Sequence, residues 1–93
     1  MSIRKIKPNI FIQRGVCVTI DIRVMNATDE EKKWIFEKTN QYLEISKKYG
    51  GKKYFLPNAI PAKVGELEYY VTYEFETPDM ANKYLEVITN IEW

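Results

Sequence analysis

The chain has 93 residues, a formal net charge of +1, 45% hydrophobic and 14% aromatic residues, one cysteine and no histidine. These values describe one globular domain with a thin core, since a chain this short buries only about 60–65% of its unfolded surface. They exclude an intramolecular disulfide, a histidine-based zinc or general-base site, and a strongly basic surface gripping nucleic acid through phosphates alone.

No run approaches the ~18 apolar residues that a bilayer span requires. The lead-in Met1–Pro8 is basic, with no following apolar run of signal-peptide length. A lone Cys17 fits a reducing compartment. The sequence therefore predicts a soluble cytoplasmic domain over residues 9–93 behind a basic arm, residues 1–8, with no membrane contact.

In chain order, Asn9 to Gln13 reads either as a short strand turned back through Arg14-Gly15 or as a bulged entry to the next strand. Val16 to Met25 alternates strictly. Val16, Val18, Ile20, Ile22 and Val24 face one side, and Cys17, Thr19, Asp21 and Arg23 face the other. Period two with β-branched residues is a strand with one buried face.

Thr28 and Glu31 have capping-box spacing, and Asp29 and Glu30 suit the positive end of a helix dipole. The helix is predicted to run to about Tyr49, ended by Gly50-Gly51. Around it Trp34, Ile45, Tyr49, Tyr42, Ile35, Thr39, Leu43 and Phe36 sweep an arc of roughly 200°, where a surface helix needs little more than about 100°.

Lys53 to Leu56 reads as an edge strand stopped by Pro57, and Pro57 to Pro61 as a wide loop. Glu66 to Glu76 is a second alternating strand, with Leu67, Tyr69, Val71, Tyr73 and Phe75 on one face and Glu66, Glu68, Tyr70, Thr72, Glu74 and Glu76 on the other. Thr77-Pro78 opens a last helix, whose inner stripe is Ala81, Tyr84, Leu85, Ile88 and Ile91. The order β(β)αββα predicts an α+β two-layer sandwich, a small antiparallel sheet with both helices on one face. In layer order this resembles the ferredoxin-like plan without an evident final strand. That resemblance implies an architecture and no activity.

Chemistry-bearing patterns are sparse, and the sequence points to no cofactor, no metal and no catalytic residue. Gly50-Gly51-Lys52-Lys53 lacks the spacing of a phosphate-binding loop and reads as a helix end. Cys17 has no histidine to activate it and reads as a passive thiol. Glu66, Glu68, Glu74 and Glu76 stand about 6.6–6.8 Å from their same-face neighbours, as on any solvated strand.

Three functions compete. The first is a non-enzymatic binding module acting through protein–protein contacts, self-association (a homodimer) included. Its candidate interface is the surplus at Trp34, Ile45 and Trp93 with the outer sheet face of Thr19, Asp21, Arg23, Glu68, Tyr70 and Thr72. Two such faces would set Arg23 of one copy opposite Glu68 or Glu74 of the other. The second is a nucleic-acid binder using Lys47, Lys48, Lys52, Lys53, Tyr54 and Phe55, helped by Arg4, Lys5 and Lys7. The third is a small dimeric enzyme with a carboxylate and tyrosine pocket near Glu68 or Asp21. The apolar surplus favours the first.

Overall fold

The computed structural model describes residues 5–93, so Arg4 and the start of the basic arm lie outside the described residues. Its elements are β1 (Asn9–Gln13), β2 (Cys17–Met25), α1 (Asp29–Lys48), β3 (Lys52–Lys53), β4 (Glu66–Glu74) and α2 (Pro78–Thr89). The strands form one antiparallel four-stranded sheet in the order β1-β2-β4-β3.

Residues 9–13 form a separate strand. Arg14 and Gly15 take φ values of +55° and +73°, the pair of left-handed residues that a tight hairpin turn requires. The β2–β4 register then sorts the side chains. Val18 lies opposite Tyr73, Ile20 opposite Val71, Ile22 opposite Tyr69 and Val24 opposite Leu67. All eight point under the helices, because residues directly opposite in a sheet share a face.

Helix α1 starts at the predicted capping box. The Glu31 N–H donates to the Thr28 hydroxyl at 3.1 Å, and the Thr28 N–H to the Glu31 carboxylate at 2.9 Å. It stops where Gly50 takes φ +76°. Its innermost line is Glu31, Ile35, Thr39, Tyr42 and Ser46. Thr77 caps α2 with Pro78 at its start, and Ala81, Tyr84 and Ile88 face inward.

The two helices meet at tyrosines. The Tyr84 hydroxyl donates to the Tyr42 carbonyl at 2.8 Å, and the Tyr84 ring packs on Phe75 and Tyr73, centroids 4.8 and 5.9 Å away. Burying each large apolar side chain contributes about 1.5–3 kcal/mol, so a few such rings supply much of a thin core. Ile6, from the predicted arm, is buried in this core.

The predicted edge strand Lys53–Leu56 is shorter, only Lys52 and Lys53. The Tyr54 N–H still bonds the Thr72 carbonyl at 2.9 Å, and then the chain leaves the sheet edge. No helix among the described residues is long and apolar enough to cross a membrane.

Candidate functional site

The sheet face away from the helices is covered by the chain itself. The Arg23 guanidinium donates to the carbonyls of Ile60 at 2.6 Å and Pro61 at 3.4 Å. It also pairs with Asp21 at 3.2 Å, Glu66 at 3.4 Å and Glu68 at 3.0 Å. The Asn58 amide donates to Glu68 at 3.1 Å, and the Tyr54 hydroxyl accepts from Arg14 at 3.2 Å. Residues 54–61 therefore lie across β4 and β2 as a strap. Beneath it Thr19 and Thr72 are buried, as is Cys17, whose thiol pKa is raised by burial and then by Glu74.

The strap leaves the outer edge of β4 bare. In an antiparallel strand the N–H and C=O of one residue point to the same side, and sides alternate along the chain. Phe75 bonds Val16 on the β2 side, and Thr72 accepts from Tyr54 on the other. Even-numbered residues of β4 thus present their backbone groups away from β2. Glu66 closes a turn there, its N–H donating to the Lys63 carbonyl at 3.0 Å. Glu68 and Tyr70 follow, and neither has a backbone partner on that side among the described residues.

A cleft lies on each side of this bare edge. On the helix side is an open groove of about 400 Å³ between α1 and β4, walled by Phe36, Leu43, Leu67 and Tyr69, with Lys32 and Lys53 at its margins. On the strap side is a second of about 370 Å³, bounded by Tyr54, Leu56 and Tyr70. Phe36 and Phe55, one beside each cleft, are 66% and 87% exposed. Two phenyl rings this exposed flank backbone groups that need hydrogen-bond partners.

Tyr69 and Tyr73 line the groove, and Tyr42 and Tyr84 lie deeper in the core. Burial raises the pKa values of Tyr42, Tyr69, Tyr73 and Tyr84, an effect that a hydrogen bond from Trp93 partly offsets at Tyr42. The buried Tyr73 hydroxyl has the Tyr69 hydroxyl as its neighbour but makes no well-formed hydrogen bond.

The apolar surplus divides between the two flanks of α1. The Trp34 flank turns toward the chain end: Lys38 stacks over Trp34 at 4.9 Å and donates to the Glu92 carbonyl. The Trp93 indole N–H donates to the Tyr42 hydroxyl at 2.7 Å, while Ile45 packs against the core. The opposite flank, Phe36 and Leu43, stays open beside β4. Thr19, Asp21, Arg23, Glu68, Tyr70 and Thr72 do share one face, but the expected pairing of Arg23 with Glu68 is made inside one chain.

Of the nucleic-acid candidates, Lys47, Lys48, Lys52 and Lys53 gather around the α1–β3 connection. Lys47 pairs with Glu44 at 3.3 Å, and Lys52 stands opposite Glu74. Tyr54 is held in the strap beside Arg14, which leaves Phe55 as the free aromatic. Asp21 and Glu68, the carboxylates an enzyme would use, are both paired with Arg23.

The bare edge itself was missed by sequence reasoning. Its signal was the brevity of the lysine-rich strand before Pro57, which leaves a nine-residue neighbour with little to pair on. No protein-family model matches the chain, and neither does any curated protein or solved structure among the comparisons.

Proposed function

We propose that the protein is a non-enzymatic interaction module that accepts an extended segment of a partner protein as an added strand on β4. The observation that carries this reading is the pair of unpartnered backbone positions, Glu68 and Tyr70, set between two apolar clefts. In strand addition the main chain supplies affinity, and alternate side chains enter pockets on the two sides of the sheet. A bare edge is otherwise a template for unwanted pairing, which short strands and lysines blunt. Here β3 blunts only the Glu74 end.

The test uses two substitutions that both delete the Tyr70 ring. Tyr70→Pro also removes the N–H that points off the edge, without touching the ladder to β2. Tyr70→Ala keeps that N–H. The probes are a second copy of the chain, followed by sedimentation, and a library of randomised seven-residue peptides. Association lost in Tyr70→Pro and kept in Tyr70→Ala, with equal thermal stability, supports strand addition. If no probe slows amide exchange at Glu68 and Tyr70, the reading fails.

A further inference from the structure

We infer that the strand taken by β4 alternates acidic and apolar: a carboxylate, two positions on an aromatic or large aliphatic residue, and two positions further a second carboxylate. This rests on the strand-addition reading and adds the chemistry of the partner.

The argument starts from register. A residue of the added strand opposite Tyr69 shares the face of Tyr69, so its side chain enters the groove between Phe36 and β4. That groove, about 400 Å³ with apolar walls, suits a large apolar side chain. The strand residues opposite Leu67 and Val71 lie on the same face, about 6.6–6.8 Å to either side.

Those two flanking positions meet lysines. The Asn26 N–H bonds the Gly65 carbonyl at the start of β4, so α1, which begins three residues later, runs alongside β4 in the same direction. Lys32, in its first turn, therefore marks the Leu67 end of the groove. Lys53, opposite Tyr73, marks the other. Both lysines are exposed, and neither is in an ion pair among the described residues. The one carboxylate at the groove, Glu68, is already matched by Arg23 at 3.0 Å and Asn58 at 3.1 Å. The groove thus offers an apolar slot with a cation at each end. Because the pattern is symmetric, it serves a strand running either way.

A second copy fits this site less well. The groove-facing residues of its β4 are Leu67, Tyr69, Val71 and Tyr73, which bring no carboxylate to either lysine. Twofold antiparallel pairing would also set Lys32 of one copy toward Lys53 of the other. Nucleic acid is disfavoured too, since two lysines fall short of the roughly 6–10 phosphate contacts behind strong salt-dependent binding.

The experiment uses the full chain and three fluorescein-labelled peptides: TDVFVET, its lysine counterpart TKVFVKT and its neutral counterpart TSVFVST. Fluorescence anisotropy reads affinity, and amide exchange at Glu68 and Tyr70 reads strand pairing. TDVFVET is expected to bind about tenfold more tightly than TKVFVKT at low salt, with that order reversed in the variant Lys32→Glu/Lys53→Glu. Equal affinity for all three peptides, with both amides protected, overturns the charge pattern while strand addition stands. No binding and no protection with any peptide overturns both. Protection that grows with protein concentration alone assigns the edge to a second copy and overturns the acidic partner, as does displacement of TDVFVET by a single-stranded RNA.

Discussion

Thr19 and Thr72 stand directly opposite one another on β2 and β4 with their hydroxyls 2.9 Å apart, both buried on the sheet face that carries no helix. Each hydroxyl is the other's partner. Removing one leaves the survivor buried and unsatisfied, which costs about 1–3 kcal/mol, whereas removing both with shape retained is nearly neutral. Thr19→Val and Thr72→Val are each expected to destabilise by that amount and the double variant by clearly less than their sum. Urea unfolding of the four proteins in a double-mutant cycle reads the coupling directly.

Arg23 has the opposite role, tying three carboxylates and two strap carbonyls to one side chain. Arg23→Met keeps the apolar stem but leaves Asp21, Glu66 and Glu68 facing one another without a cation. The groups are partly solvated, so the expected loss of stability is well below that of a fully buried pair. The same change should free the strap. Limited proteolysis is expected to cut within residues 55–62 in the variant well before the wild-type chain is cut there.

Two core tyrosines make a matched pair. The Tyr84 hydroxyl donates to the Tyr42 carbonyl, while the buried Tyr73 hydroxyl has only Tyr69 beside it and no well-formed hydrogen bond. Tyr84→Phe is expected to cost about 1 kcal/mol, and Tyr73→Phe clearly less. Thermal melts of the two variants test this ordering, since both lose the same single atom from the same kind of ring.

Alkaline pH acts on the whole cluster. Tyr42, Tyr69, Tyr73 and Tyr84 all have pKa values raised by burial, so the folded chain keeps phenolic protons that the unfolded chain releases. Stability is then fully present below the unfolded value of about pH 10 and falls as pH rises past it. Tyrosinate absorbance from these four rings is expected to rise together with loss of circular dichroism.

What the sequence made legible was what periodicity encodes. The two long strands, both helix starts and the split of inner and outer residues follow from period-two and period-3.6 patterns and from caps at Thr28 and Thr77. The strap was not legible. Its hold depends on Arg23 reaching backbone carbonyls 37 and 38 positions away, and carbonyls carry no sequence signature. For the same reason the alternation places the six outer-face residues on one face, yet the burial of Thr19 and Thr72 under the strap does not follow from it. The Phe36 flank of α1 was part of the predicted arc, but only the shortness of β3 reveals that it borders an unpaired edge.

One further consequence lies in how the first strand is placed. β1 fills the sheet edge beside β2, where a strand entering after α2 would also fit. The segments 5–10 and 88–93 line a common cavity of about 490 Å³. A short linker from Trp93 to Lys5, with the chain reopened between Arg14 and Gly15, would keep every strand neighbour while changing the reading order to βαββαβ. The native order makes β1–β2 the most local pairing in the sheet, closed by a tight turn. The rearranged order would turn that same pairing into the most distant one. Such a permutant separates the contacts that stabilise this sheet from the sequence proximity that lets them form quickly.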